Sequence, residues 1–247
     1  VNPRPARRPR PALAVLAPLV LAALPARAGA GDVAWIWPGA VEPSPAPDEL
    51  AVLTVSVHLG REGILLRPRR TPLVPPPGVR VTPVVHVQPE RGAPPLAPPD
   101  ARRIAAALLR AAPSSTSGLV QLDFEAPPSM RDAWRALVAD VRRALPPEVR
   151  LSVTALGSWC AGGAWLDGLA ADEVVPMFFA PGPGTAPWRL ATLERAAALH
   201  PRCRAGAAGF SVQDAPPAEV RRRYARRYWF HERPHHPYAV PPPEPSR

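Results

Sequence analysis

Residues 118–126 read GLVQLDFEA, and the side on which their acids fall decides the fold. As an extended strand, the segment sets Val120, Leu122 and Phe124 on one face and Gln121, Asp123 and Glu125 on the other. Ionised carboxylates are costly to bury unless they are paired or solvated. Two of them on one strand face therefore serve packing badly. Inward-facing acids near the C-terminal end of a strand are what a site at the mouth of a β/α barrel requires.

Working outward, the flanking segments supply strands and helices in the order such a barrel needs. Upstream, residues 32–40, 49–59 and 81–88 alternate as strands. The second of these places Thr54, Ser56 and His58 on one face. The Gly60–Gly63 turn and a return strand over 64–67 form a hairpin between the second and third main strands. His86 and Gln88 lie on the polar face of the third. Pro98, Pro99 and Asp100 open a helix to Ala112 whose apolar side carries Ile104, Ala107, Leu108 and Ala111. Downstream, Ser129 caps a helix to Leu145 with Trp134, Leu137, Val138 and Val141 at helical spacing. Strands follow over 150–156, 174–179, 205–212 and 227–231, with helices over 185–200 and 216–227 and a helical turn over 165–171.

Eight main strands with helices between most of the later ones predict an α/β fold. The expected architecture is a degenerate (β/α)8 TIM-like barrel with a β-hairpin insertion between strands 2 and 3.

The N-terminal residues carry a different pattern. Arg4, Arg7, Arg8 and Arg10 precede an apolar run from Pro11 to Leu24, and Ala26-Arg27-Ala28 has small–x–small form. That is the layout of a secretory signal peptide over residues 1–28, and the run is short for a membrane span. The barrel domain then covers 32–234, and a Pro- and His-rich disordered tail 235–247. Export to a periplasmic or extracellular location follows, with membrane contact only through an uncleaved signal segment.

Without residues 1–28 the formal charge falls from +10 to about +5, too mild and scattered for a nucleic-acid partner. All 30 basic residues are arginine, which excludes a P-loop or Schiff-base lysine. Cys160 and Cys203 are the two cysteines. In an exported chain they form one disulfide or stay as two buried thiols. The Cys and His spacing matches no metal-binding pattern, so no metal or cofactor is expected.

Asp123 and Glu125 are the leading catalytic candidates. A close like-charge pair separates two pKa values, leaving one acid protonated and its neighbour ionised. That division suits protonation of a glycosidic oxygen beside a charge that stabilises the developing cation. Gln121, His86 and Gln88 would line the cleft. Among the tryptophans, Trp37 and Trp159 fall at strand ends, where an indole face can stack on a sugar ring.

The run from Gln121 to Glu125 resembles the fourth-strand D-x-D-x-E motif of chitinase-like glycosidases. The resemblance implies Glu125 as general acid and Asp123 as the residue that orients the substrate's acetamido group. Gln121 stands at the family's first Asp, and Met177-Phe178-Phe179 supplies Phe where that family places a Tyr on strand six. More of the chain is similar to a family of exported bacterial proteins catalogued as a domain of unknown function, DUF3142. The segments that carry this likeness are LVQLDFEA (119–126), LSVTALGSWC (151–160), Trp165-Leu166-Asp167, DEVVPMF (172–178), Cys203-Arg204 and 229–234. Together the two resemblances imply an exported carbohydrate-active protein of glycoside-hydrolase type, its partner a carbohydrate or cell-envelope glycan. The alternative is a non-catalytic glycan-binding or envelope-assembly protein on the same scaffold.

Overall fold

The structure is a computed structural model that describes residues 31–38, 47–179 and 198–230. Nine strands form one sheet: β1 (Gly31–Ile36), β2 (Glu49–Gly60), β3 (Gly63–Pro68), β4 (Arg80–Pro89), β5 (Leu119–Phe124), β6 (Arg150–Leu156), β7 (Glu173–Met177), β8 (Ala207–Ser211) and β9 (Arg226–Phe230). Eight of them run parallel in the order β2-β4-β5-β6-β7-β8-β9-β1, and β1 pairs back onto β2 to close the ring. β3 stands outside the circuit, antiparallel to β2. The expected eight-stranded α/β barrel with its hairpin insertion is thus the observed fold.

At 12 residues, β2 is long because it serves three neighbours. Residues 49–52 hold β1, residues 55–60 hold β3, and β4 pairs with the strand from 49 to 59. The register slips between Leu53 and Val55, a β-bulge that reverses which residues face inward. Below it, Glu49 shares the interior side with Thr82, to which it is hydrogen-bonded. Above it, Ser56 and His58 pair with His86 and Gln88. An unbroken alternation could not put both Glu49 and His58 inside.

Two helices pack the outer wall. α1 (Pro98–Ala111) buries Ile104, Ala107, Leu108 and Ala111, and α2 (Arg131–Ala144) buries Trp134, Leu137, Val138 and Val141. Both apolar stripes are those of the sequence.

Three boundaries differ. Ser129 is exposed inside a 3-10 turn (Pro128–Met130), and no side chain caps α2. Ala198 is in a 3-10 turn and residues 199–200 are not helical, while 185–197 lie outside the described residues, as do 1–30 and 231–247. The helix expected over 216–227 shrinks to α3 (Ala218–Arg221). The cause is Arg226, which reads as one more basic residue of a helix face but belongs inside the barrel.

That arginine is 4 % exposed. Its Nη1 and Nη2 donate to the two Glu49 oxygens at 2.8 Å each, and its Nε lies 3.1 Å from Glu173 Oε2. Tyr228 and Ser152 both donate to Glu173 Oε1, at 2.7 and 2.8 Å. Gln121 Nε2 donates to Ser152 Oγ at 2.9 Å, and Thr82 Oγ1 to Glu49 Oε1 at 2.5 Å. A polar belt therefore crosses the barrel floor and links β2, β4, β5, β6, β7 and β9. Two buried glutamates are tolerated there because the Arg226 guanidinium forks onto Glu49 and turns its Nε to Glu173, with Arg80 Nε a further 3.4 Å from Glu49 Oε2.

Cys160 and Cys203 form a disulfide that spans 43 residues and ties the end of β6 to the approach to β8. Of the two states left open by the sequence, this is the one observed.

Arg226→Met leaves buried Glu173 without a cation and Glu49 with only the longer Arg80 contact, Nε to Oε2 at 3.4 Å, so urea denaturation should show a loss of roughly 3–5 kcal/mol. A loss below ~1 kcal/mol would contradict the belt's role. Replacing both cysteines by serine should cost roughly 2–5 kcal/mol in the oxidised protein. Under reducing conditions the same comparison should show no difference.

Candidate active site

Above the belt, the ends of β4, β5 and β6 bring a second polar group together. His86 and Asp123 are register partners on β4 and β5, and His86 Nδ1 lies 2.5 Å from Asp123 Oδ2. Thr154 on β6 donates its hydroxyl to Asp123 Oδ1 at 2.7 Å. Both oxygens of the aspartate are thereby engaged, and the residue is only 4 % exposed. Asp123 is a fixed charge beneath the mouth rather than a side chain open to solvent.

Glu125 follows β5 directly and emerges at the mouth, where it is exposed. It lines a groove of about 560 Å³ together with Glu90, Ser158, Trp159 and Trp165. Enough protein surrounds the carboxyl that desolvation pushes its pKa above the ordinary glutamate value. The charge of Asp123 adds to that rise, and His86 opposes it. A raised pKa extends upward the pH range over which a carboxyl can donate a proton.

Burial alone would lower the pKa of His86. The charge and hydrogen bond of Asp123 outweigh it, with help from a Gln88 hydrogen bond and the Glu125 charge, so the imidazole's pKa is raised. The three groups form one electrostatic unit: His86 and Asp123 are paired directly, and Glu125 above them feels the charge of both.

The remaining sequence candidates separate by depth. Gln88 is exposed beside His86. Trp37 is half-buried and meets the His86 ring edge-on, with centroids 5.4 Å apart. Gln121 is fully buried in the belt, so it is corrected from a substrate-binding residue to a structural one. Alternation placed it on the right face but could not say how far down.

Trp159 lines the groove but is 3 % exposed. It is packed against Trp134 at 5.0 Å and stacked on Trp165 at 4.0 Å. The partly exposed indole of that stack is Trp165, so Trp159 is corrected from a platform to the support beneath one. Trp37 does not line the Glu125 groove.

Sequence reasoning missed Thr154, Glu90 and Trp165. Ser152 and Thr154 do alternate as a polar face of β6, but only the β5–β6 register ties them to the acids of β5. Among the described residues no group of three or more His, Cys, Asp or Glu side chains could hold a metal ion.

No protein-family model matches the chain, and no curated protein is similar to it. Among solved structures, the chain is similar to the spore cortex-lytic enzyme SleL of Bacillus cereus, with a TM-score of 0.44 and 15 % identity. The alignment covers 74 % of this chain and 51 % of that one, so the chain spans about half the length of SleL. The barrel assignment rests on the strand pairing itself.

The His86 balance gives a signed pH expectation. Because the folded pKa lies above the unfolded value, the pair's stabilisation is complete below about pH 6.5. It is lost as pH rises through the folded value. Imidazole NMR should show His86 titrating above its ordinary value in the wild type. In Asp123→Asn, burial is left as the largest influence, and titration should move below the ordinary value. An unchanged titration in that variant would dismiss the pairing.

Proposed function

We propose that this chain is an exported, carbohydrate-active barrel that hydrolyses a glycan, with Glu125 as the proton donor. The observation that carries the reading is the position of Glu125. Its carboxyl stands at the C-terminal mouth of the fourth barrel strand, in an open groove and over the fixed His86–Asp123 pair. Active sites of β/α barrels sit at that end.

In the reaction, Glu125 gives its proton to the glycosidic oxygen as the bond from that oxygen to the anomeric carbon breaks. Water supplies hydroxide to the anomeric carbon, and its remaining proton restores the acid. The negative field of Asp123 favours both the protonated acid beforehand and the positive charge that develops on the sugar. Asp123 acts here as a positioning charge, and Trp165 offers a surface for sugar stacking. The Cys160–Cys203 disulfide fits an oxidising compartment, which supports export. Membership of DUF3142 is part of the same proposal.

A second reading is favoured by the burial of Asp123. With both oxygens bonded and little surface exposed, it offers no free oxygen to a substrate acetamido group. Non-catalytic glycan binding on the same mouth would need none.

Purified mature protein should be incubated with cell-envelope glycans and the released reducing ends measured, comparing wild type with Glu125→Gln. Hydrolysis by the wild type and a loss of at least ~100-fold in the variant are expected for removal of a general acid. Activity that survives Glu125→Gln would remove the residue from its role. Binding by both proteins without release from either would leave the second reading. The alkaline limb of the rate profile should lie above the ordinary glutamate value, and in Asp123→Asn it should move to lower pH.

A further inference from the structure

The hairpin that replaces a helix between the second and third barrel strands places two arginines beside the mouth. Arg67 pairs with Ser56 across the β2–β3 ladder, and Ser56 pairs with His86 across β2–β4. Directly opposed residues share a sheet face, so Arg67 stands on the face that carries His86. It is exposed and lines a second hollow of about 530 Å³ with His58, Arg61, Glu62 and Glu90.

Arg69 follows β3 and is held by its backbone N–H, which donates to Thr54 O at the bulge (2.8 Å). Its Nη1 then reaches over the end of β1 to Trp37 O at 3.2 Å, and its Nε donates to Thr71 O at 2.8 Å. Trp37 is the indole set edge-on against His86.

Neither arginine has a carboxylate partner among the described residues. Arg69 is half-buried, and desolvation with no countercharge lowers its pKa. A partly desolvated guanidinium fixed by two main-chain carbonyls is an incomplete ion pair, and a carboxylate matches its fork. The hollow's acids lie toward the hairpin tip: Glu62 is in the turn, and the Glu90 carboxylate lies against Gly60. The base of the arm, nearest His86 and Trp37, carries Arg67 and Arg69, while Arg61 stands beside Glu62 in the turn. Glu90 lines both this hollow and the Glu125 groove, so the two are neighbours along one mouth.

We propose that the β2–β3 hairpin is an anion-recognition arm, and that the glycan bound at the mouth is acidic, with a sugar carboxylate held by Arg69 and Arg67. This rests on the glycan reading above and names its substrate class. The carboxylate belongs either to a uronic acid or to the lactyl group of an amino sugar.

Calorimetric titration of mature Glu125→Gln protein, chosen to prevent turnover, separates the sources. The probes are a tetragalacturonate and its methyl ester, and a peptide-free muramic-acid tetrasaccharide and its lactyl amide. At least one acid should bind roughly 10- to 100-fold more tightly than its neutral counterpart, the scale of charge-assisted hydrogen bonds. Adding Arg67→Gln and Arg69→Gln together should abolish that preference and leave neutral binding within about twofold. Arg69→Lys, which keeps the charge but loses the fork, should retain part of it.

Neutral binding also shows that the variants remain folded. Equal binding of acid and neutral partners, or a preference that survives the double change, overturns the anion arm while the glycan reading stands. Failure of the single Glu125→Gln protein to bind any of the four probes, or the envelope glycans, overturns both.

Discussion

The guanidinium of Arg226, forked between Glu49 and Glu173, is the constraint on which the rest of this barrel depends. It joins the last strand to the second and the seventh, across the seam where the first strand closes the ring. Without that cation Glu173 would be buried uncompensated, which is far too costly, and Glu49 would keep only the longer Arg80 contact. The belt it anchors then dictates the geometry of its neighbours. Thr82, Ser152 and Tyr228 must face inward to satisfy the glutamates, so β4, β6 and β9 are each locked in phase. With those phases set, the same inward face carries His86 four positions further along β4 and Thr154 two positions further along β6. The paired aspartate is thus held by strands whose register was fixed one layer below.

That layering explains what could and could not be read from the chain alone. The alternation of residues 118–126 identified the inward face of β5, and the helical stripes of α1 and α2 were equally plain, because both depend only on local periodicity. Depth along a strand has no such signal. Gln121, Asp123 and Glu125 look alike in one dimension, yet one lies in the floor, one beneath the mouth and one in the groove. The bulge at Thr54 was also invisible, since its cause is the need to bring both Glu49 and His58 to the inside. Arg226 was hidden by company: among Arg221, Arg222, Arg223 and Arg227 it looks like another surface cation. The two tryptophans of the Trp159–Trp165 stack are separated only by which one the barrel covers.

The mouth is therefore a product of electrostatic division of labour. His86 and Asp123 satisfy one another and spend little of their charge on solvent. Glu125, left above a fixed negative group and crowded by protein, holds its proton more tightly than a free glutamate. No single residue carries this property; it arises from burial of one acid and exposure of the other two positions later. The aspartate's two hydrogen bonds set its orientation, and that orientation sets the field at the groove.

The hairpin has a consequence of another kind. The ring of eight closes through β1 and β2 without any contribution from β3, so the arm is free of the geometric conditions that bind every other strand. Its length, tip and charge can drift across descendants of this chain while barrel closure is left untouched. Variation in charge beside the mouth can accumulate in a segment on which closure of the ring does not depend.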